Sequence, residues 1–384
     1  MPRVHVRLPA RQQNYEIKIE AGILPTLGSE ARGCLGARAR RAAVISNETV
    51  FDLYGERAVR SLRAAGFGTV HWLMKDGERH KSLRSLEQAL GFLCEARLER
   101  SDAVIALGGG VVGDLAGFAA AVYLRGVPLI QLPTTLLAQI DSSAGGKTAV
   151  NLPAGKNLIG AFHQPSLVLI DTETLQTLSA RDKTAGWCEA VKQGAVCSRK
   201  LFDQTVRFLR GTDFGLSTEE PTQTESYATR LGELIATQCR FKASIVARDE
   251  REELTRTDRR SRRILNFGHT TAHALEKVTG YRRFRHGEAV GRGMLVAGEM
   301  SKSLGMLPSG ELELLREAVR LCGPLPRAGD LSIADIFRAI DRDKKSMSGA
   351  VKWILLERIG RPLIVDSREI DSRALRASLR TGLR

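Results

Sequence analysis

The sequence lacks three features that would place it in a specialised class of protein. Its 384 residues contain no run of about 20 consecutive apolar residues, so no transmembrane helix is expected. The amino-terminal stretch has no apolar core of a signal peptide, which makes the cytoplasm the default expectation. The six cysteines are scattered without a CxxC pair, so we expect reduced cysteines and no disulfide framework.

Aromatic residues are also scarce, at 5% of the chain, which leaves little material for stacking on single-stranded nucleic acid. Basic residues nevertheless exceed acidic ones and give a formal net charge of +15. Such a balance suits nucleic acid, an anionic membrane surface or a phosphorylated small substrate. Because the arginines are spread along the whole chain without a basic tail, we expect neither a nucleic-acid nor a membrane partner.

Strand and helix patterns alternate over the first half of the chain. Amphipathic runs at 49–65 and 82–98 predict helices between short apolar or alternating strand patterns. Strands separated by helices indicate parallel βαβ units in a doubly wound sheet. The predicted strands cover residues 4–8 and 15–19, which are expected to pair, and 41–47, 69–73, 103–107, 129–132 and 167–170.

Helical patterns dominate after Leu178, with an exposed charged loop at 251–263 and one late strand pattern at 352–356. This change predicts two domains, an α/β domain over 1–178 and a mainly helical domain over 179–384. The predicted helices of the second part cover 183–195, 227–246, 270–278, 287–304, 310–321 and 333–340.

A glycine-rich segment follows the strand predicted at 103–107. Gly108, Gly110 and Gly113 fit the pattern G-x-G-x-x-G, in which the backbone approaches a pyrophosphate at a helix start. A standard Rossmann site needs an acidic residue about 20 positions later, and none occurs between 115 and 140. The segment therefore favours the phosphate loop of another nucleotide-binding fold over a plain tight turn.

Small polar residues and lysines recur downstream, at 134–135, 141–148 and 156–157. Hydroxyl groups, backbone N–H groups and lysines suit an anionic ligand, although an ordinary polar loop has the same composition. The end of the second segment resembles a P-loop, but Asp141 stands where its first glycine belongs. We therefore exclude a P-loop nucleotidase.

Three of the seven histidines, His269, His273 and His286, fall in one short window. His269 and His273 are four residues apart, so a helix would present both on one face. Both could bind zinc, or one could bind zinc and the other transfer protons. Glu189 is a candidate further ligand, because a carboxylate in its apolar helical stretch needs a partner. The nearby cysteines show no ligand spacing and are interpreted as buried thiols.

These motifs resemble, in the same order, those of the 3-dehydroquinate synthase family, from about residue 40 to residue 365. The matching segments are 108–114, 132–138, 141–147, 155–160, 189–192, 265–270, 273–276, 286–290 and 343–345.

The resemblance implies an α/β NAD-binding domain with a parallel sheet, followed by a mainly α-helical metal-binding domain. It implies a phosphate-eliminating lyase of the shikimate pathway of aromatic amino acid biosynthesis. The expected substrate is 3-deoxy-D-arabino-heptulosonate 7-phosphate, which is oxidised by NAD, loses phosphate, is reduced again and closes by an aldol step. The expected cofactors are NAD and Zn²⁺, with Co²⁺ equally suited to the ligands. Since the family is often dimeric, a homodimer is also allowed.

The resemblance also assigns individual residues. The implied metal ligands are Glu189, His269 and His286. The implied catalytic residues are His273, for proton transfer, with Glu252, Lys192, Arg262 and Asn266. The implied substrate-binding residues are Arg125, Asp141, Lys147, Asn157, Lys192, Lys242, Arg262, Asn266 and Lys344. The implied NAD-binding residues are Asn47, Asp76, Glu78, Lys81, Gly109, Gly110, Val111, Val112, Gly113, Asp114, Thr134, Thr135, Lys147, Lys156, Thr174, Leu175, Gln176 and Thr177.

The chain departs from the family in the segment before Arg262, which is longer than usual. The family carboxylate is therefore assigned to Glu252, with Asp258 as the alternative. Two other functions are weighed: a sister sugar-phosphate cyclase that makes a deoxyinosose or valiolone, and a basic nucleic-acid-binding protein without catalysis. Alcohol dehydrogenases of the same broad fold are weaker relatives, because they lack the lysines that bind phosphate.

Overall fold

The computed structural model describes residues 14–211, 226–253, 255–346 and 351–384, without the side chains of 342–346. The strand predicted at 4–8, and its pairing with the strand predicted at 15–19, lie outside these residues. Lys344 lies in a described helix, but its side chain is outside the description.

A sheet of six parallel strands forms the first half of the molecule, in the order β1-β8-β5-β4-β2-β3. Its central strands β4, β5 and β8 are buried along their whole length. The parallel sheet and every described strand predicted for it are confirmed. The strands are β1 (Glu16–Glu20), β2 (Arg41–Asn47), β3 (Gly68–Met74), β4 (Ala103–Gly108), β5 (Leu129–Pro133) and β8 (Leu167–Asp171).

Helices cover both faces of this sheet, because alternate residues of each strand point to opposite sides. Ala42 and Val44 of β2 belong to the core on one face, and Ala43 and Ile45 belong to the core on the other. The helices of this half are α1 (Leu27–Leu35), α2 (Glu48–Val50), α3 (Glu56–Ala64), α4 (Leu83–Glu95) and α5 (Gly110–Val122).

A two-stranded antiparallel hairpin packs against α5 and consists of β6 (Lys147–Leu152) and β7 (Gly155–Phe162). The sequence analysis predicted an anion-binding polar cluster here and no strands, since the glycines and lysines of the two strands interrupt any alternation. The hairpin carries several of the predicted ligand-binding residues as strand residues.

The second half is mainly helical, and the predicted fold class is confirmed. Every helix predicted here is present; α7, α13 and strand β10 were not predicted. The helices are α6 (Ala180–Cys197), α7 (Arg199–Arg210), α8 (Tyr227–Val246), α9 (His269–Val278), α10 (His286–Ser303), α11 (Ser309–Leu321), α12 (Ile333–Ser346) and α13 (Ser372–Gly382). The late strand is β9 (Lys352–Arg358), which pairs with β10 (Arg361–Asp366).

The prediction of an exposed loop over 251–263 is wrong at the end of that segment, because Arg262 is buried and starts a short 3-10 helix. All six cysteines are free, as predicted. None of the described helices is both long and apolar enough to cross a membrane. The division into domains at residues 178 and 179 stays a prediction, near the point where the sheet ends and α6 begins.

Candidate active site

Three side chains from three helices converge on one point, and they are the predicted metal ligands. Glu189 lies in the middle of α6, whereas His269 and His286 are the first residues of α9 and α10. Glu189 Oε1 lies 3.9 Å from His269 Nε2 and 3.6 Å from His286 Nε2. One ligand atom from each residue lies within 4.8 Å of the others. Two imidazoles and a carboxylate in this arrangement form a zinc-type donor set with room for a further ligand.

Glycines allow the three helices to approach closely enough for this convergence. A Cβ on Gly287 of α10 would overlap the backbone of Ala185 in α6, and one on Gly293 would overlap the Gly268 carbonyl. Gly268 itself has a φ of 81°, a left-handed conformation that glycine adopts freely, and directly precedes His269. Backbone packing at these positions therefore fixes where both histidines begin their helices.

The hydrogen-bonding state of the three residues fits a cation. Both carboxylate oxygens of Glu189 are buried and accept no hydrogen bond, although Lys192 Nζ lies 2.5 Å from Oε2. We infer from this poor geometry that the ammonium neutralises Glu189 without satisfying it. Burial, together with the charge of Lys192, holds the pKa of His269 well below its ordinary value, so its ring is neutral as a metal ligand requires.

Glu276, which no sequence argument had singled out, lies behind His286. Its Oε1 is 3.5 Å from His286 Nδ1 and accepts a hydrogen bond of 3.0 Å from Lys156 Nζ. Burial opposes the charged form of Glu276, but His286 and Lys156 outweigh it and lower its pKa to about 2. The available signal was its place at the end of the matching segment 273–276, one turn beyond His273 in α9, but the resemblance assigned it no role.

His273 stands beside the three ligands, on the same helix as His269. Its ring centroid is 5.6 Å from that of His269 and 6.2 Å from that of His286. The helical spacing of His269 and His273 had left open whether both bind a metal. The group of ligand atoms found within 4.8 Å of one another contains Glu189, His269 and His286 and omits His273.

A second cluster, built around Asp141, adjoins the metal ligands. Lys192 Nζ lies 3.2 Å from Asp141 Oδ2, and Lys242 donates to Oδ1 and to the main-chain carbonyl of the same residue. Burial alone would raise the pKa of Asp141, yet the two ammonium groups hold it well below its ordinary value. Burial lowers the pKa of Lys242 despite this pairing. Lys192 contacts both Glu189 and Asp141 and thereby joins the two clusters.

The longer segment before Arg262 begins beside Glu252, whose carboxylate lies next to this cluster of lysines. The Glu252 carboxylate accepts from Lys147 of the hairpin and from Asn266 Nδ2 at 3.2 Å. Asp249 fixes both ends of the segment, because its oxygens accept from Glu253 N at 2.8 Å and Arg262 N at 2.7 Å. The alternative, Asp258, is exposed and pairs with Arg256.

The Arg262 guanidinium lies against backbone oxygens at the same place. It donates to the Gly145 carbonyl at 2.9 Å and to the Glu250 carbonyl at 2.7 Å. Burial lowers the pKa of Arg262, although the surrounding carboxylates oppose this change. Lys147, Lys192, Lys242 and Arg262 thus form a cationic cluster, in which Asp141 and Glu252 pair with the lysines and Glu189 contacts Lys192 from the metal-ligand side.

The glycine-rich segment has the structure that its pattern predicts. Strand β4 ends at Gly108, Gly109 precedes α5, and Gly110 begins that helix. A Cβ on Gly109 would come within 2.9 Å of the Thr135 side chain, so the turn is tightly packed. The strand order of the sheet reverses between β2 and β4, and ligands bind at such a point outside the carboxyl ends of the strands.

A buried lysine connects this turn to the hairpin. Lys81 Nζ donates to Asp114 Oδ2 at 2.7 Å and to Asn157 Oδ1 at 2.5 Å. Burial raises the pKa of Asp114, although Lys81 opposes this change. The predicted cofactor residues Lys81 and Asp114 and the predicted substrate residue Asn157 therefore form one continuous network.

The predicted cofactor residues in the turns after β2, β3 and β8 lie at the same end of the sheet, where they make local contacts. Asn47 caps α2, and Asp76 accepts from the Thr49 hydroxyl at 2.6 Å. Thr174 and Thr177, in the turn after β8, contact Gln139 and Tyr54 respectively.

Arg125 is separate from these clusters. It is exposed in the turn that follows α5, and no described contact joins it to another predicted ligand-binding residue. Its φ is 66°, and that of the preceding Leu124 is 48°, so two consecutive non-glycine residues adopt a left-handed conformation.

Comparison with known proteins gives one consistent result. Profiles of the 3-dehydroquinate synthase N-terminal and C-terminal regions match residues 71–185 and 186–346. The 3-dehydroquinate synthase of Gloeobacter violaceus is 43% identical over 383 residues, which is 99% of either chain. That of Nostoc punctiforme is 42% identical over 378 residues, or 98% of either chain.

A solved structure supports the same fold. The 2-epi-5-epi-valiolone synthase of Streptomyces hygroscopicus subsp. jinggangensis, solved with NAD⁺ and Zn²⁺ bound, is 26% identical and has a TM-score of 0.83. The superposition covers 98% of this chain and 99% of the other. Two matching domain profiles and relatives this similar along almost the whole chain show that the protein belongs to the 3-dehydroquinate synthase family.

Proposed function

We propose that this protein converts 3-deoxy-D-arabino-heptulosonate 7-phosphate into 3-dehydroquinate and phosphate. The observation that carries the proposal is the position of Lys192, which contacts Glu189 of the metal-ligand group at 2.5 Å and Asp141 of the cationic cluster at 3.2 Å. A substrate that spans both places needs an oxygen for the metal and anionic groups for the lysines. A phosphorylated sugar acid has both.

The residues present fit a zinc ion and NAD. Glu189, His269 and His286 would hold the zinc, and the segment 108–114 with Lys81 and the turns after β2 and β8 would hold the NAD. When bound, zinc polarises an alcohol oxygen and NAD accepts and returns a hydride. The structural relative that carries NAD⁺ and Zn²⁺ supports this assignment.

The cationic cluster binds and orients the substrate. Lys147, Lys242 and Arg262 attract its phosphate and carboxylate, and the low exposure of Lys242 and Arg262 strengthens that attraction by excluding water. Asp141 and Glu252 keep the cations in place before the substrate arrives. Asn266, held by Glu252, presents an amide to a substrate hydroxyl.

His273 transfers protons in this proposal. Its ring lies beside those of His269 and His286, at the edge of the metal-ligand group, where it can reach a substrate oxygen without serving as a ligand. Glu252 is the second proton-transfer group, because it is the carboxylate that contacts both Lys147 and Asn266.

The decisive experiment measures phosphate release by the purified protein with NAD and Zn²⁺. Three substrates are compared: the heptulosonate phosphate, glucose 6-phosphate and sedoheptulose 7-phosphate. We expect release from the first alone. Release from either of the others and none from the first would replace this function with that of a sister cyclase. No release from any of them, with salt-sensitive retention on DNA, would favour a nucleic-acid-binding protein.

We also propose a cytoplasmic homodimer, as the family resemblance suggests. Sedimentation of the purified protein would measure the mass of the assembly, and fractionation of cells would locate the protein. A monomer at all concentrations that support turnover would remove the dimer from the proposal.

A further inference from the structure

Glu276 is an unusual residue to find in the interior of a helix-packed core. Its side chain is 2% exposed, and its Oε2 has no hydrogen-bond partner. A buried carboxylate is costly unless it is paired, so its retention needs an explanation beyond packing. Its two charged neighbours, Lys156 and His286, come from opposite halves of the molecule.

Both neighbours approach the same carboxylate oxygen. Oε1 lies 3.5 Å from His286 Nδ1 and 3.0 Å from Lys156 Nζ. The other ring nitrogen of His286, Nε2, faces Glu189 Oε1 at 3.6 Å. A carboxylate behind a metal-ligating histidine fixes the tautomer and the orientation of the ring.

The lysine is also held firmly from the side of α9. Its ammonium lies 4.8 Å from the centre of the Tyr281 ring, and Tyr281 N donates to the Glu276 carbonyl at 2.7 Å. Lys156 therefore lies between a carboxylate and an aromatic face, both provided by the end of α9 and the turn that follows it. The hydrogen bond from Lys156 to Glu276 therefore joins the hairpin of the first half to α9, the helix that carries His269.

We propose that Glu276 is a positioning residue that orients His286 toward the metal and, through the same oxygen, fastens the hairpin to α9. This inference rests on the proposed function, since it takes His286 as a metal ligand. It assigns Glu276 a role in metal affinity that a purely structural residue would not have.

The test is the affinity of the metal-free protein for Zn²⁺, measured by competition with a chromogenic chelator. Glu276→Gln keeps the volume but removes the charge, and should weaken zinc binding about 10- to 100-fold. Lys156→Met removes the other contact of Oε1 and should change the zinc Kd less than about threefold, because Glu276 still faces His286. Glu299→Gln is the matched control, since Glu299 is a largely buried glutamate of α10 that pairs with Arg316. It should bind zinc as the unmodified protein does.

The visible spectrum of the Co²⁺-loaded protein adds a readout of ligand geometry. The bands should shift in Glu276→Gln and stay unchanged in Glu299→Gln. If Glu276→Gln does not fold, Glu276→Asp serves instead, because it keeps the charge but draws the oxygen back from His286. Zinc affinity and a Co²⁺ spectrum that match the unmodified protein in the folded Glu276 variant would overturn the proposal.

Phosphate release is measured on the same preparations to separate the two proposals. If the unmodified protein binds zinc and releases phosphate, and the Glu276 variant binds zinc equally well, only the role of Glu276 is refuted and the proposed function stands. An unmodified protein that neither binds zinc nor releases phosphate refutes the proposed function and this inference together.

Discussion

Asp141 balances two lysines that are almost completely buried, and its replacement by asparagine should cost much of the stability of the protein. The side chains of Lys192 and Lys242 are 2% and 6% exposed. Lys192 would keep Glu189 as a partner after the replacement. Lys242 would keep only neutral contacts among those described, chiefly the main-chain carbonyl of residue 141.

Two limits set the expected loss in the free energy of unfolding of Asp141→Asn. At the 3.2 Å that separates Lys192 Nζ from Asp141 Oδ2, the attraction is about 5 kcal/mol for an effective dielectric constant near 20. The cost is also bounded, because an unpartnered lysine can lose its proton. Keeping a lysine neutral at pH 7 costs about 5 kcal/mol relative to its ordinary pKa. Removing one partner of a buried pair typically costs about 3–5 kcal/mol, and we expect a value in that range.

The assay is urea unfolding of Asp141→Asn and of Asp258→Asn, both without metal or substrate. Asp258 is 58% exposed and pairs with Arg256 on the surface, where water screens the pair, so its replacement should change the free energy of unfolding far less than Asp141→Asn does. The reasoning is refuted if Asp141→Asn costs less than about 1 kcal/mol or no more than the control.

The pH dependence provides an independent check on the same residue. The folded protein lowers the pKa of Asp141, so its contribution is present above the unfolded pKa near 4 and is lost as the pH falls through the folded value. The stability difference between the unmodified protein and Asp141→Asn should therefore be constant from about pH 8 to pH 5 and narrow below about pH 4. A difference that instead widens as the pH falls from 8 to 6 would indicate that a lysine has lost its proton in folded Asp141→Asn and is the titrating group.

Three further replacements test other parts of the site. His273→Ala should slow phosphate release while the zinc content measured by atomic absorption is retained; loss of zinc would make His273 a ligand. Asp249→Asn removes a carboxylate that accepts from Glu253 N and Arg262 N. The replacement should lower the free energy of unfolding in urea by about 1–3 kcal/mol and should also lower kcat. An unchanged kcat would mean that Glu252 keeps its position without the hydrogen bonds to Asp249. Gly293→Ala places a methyl group against the Gly268 carbonyl and should lower the free energy of unfolding by about 1–3 kcal/mol; an unchanged unfolding midpoint would show that the helices can separate there freely.

The strands and helices were largely predictable because their patterns are local. The buried run of β4 and the amphipathic run of α8 each contain the period of their own element, and both were found close to their observed bounds. The hairpin was not predictable in this way. Its strands contain glycines and charged residues, and their pairing depends on a fold that brings the lysines of β6 and β7 to the ligand-binding side.

The candidate ligand residues were identified from motifs, but helical spacing alone did not show which of them lie in contact with one another. Sequence spacing placed His269 and His273 on one helical face and could not tell which of them joins Glu189. The three-helix packing at Gly268, Gly287 and Gly293 decides this, because it brings the first residues of α9 and α10 against the middle of α6.

The sequence by itself determined the family, the six strands of the parallel sheet, most helices of the second half and the types of side chain available for an anionic substrate and a metal. Only the tertiary structure decided that Glu252 of the longer segment contacts Lys147 and Asn266, and that Glu276 Oε1 lies 3.5 Å from His286 Nδ1. The physical reason is distance along the chain. Glu276 meets Lys156 across 120 residues, and no local pattern reports a contact between side chains that only folding brings together.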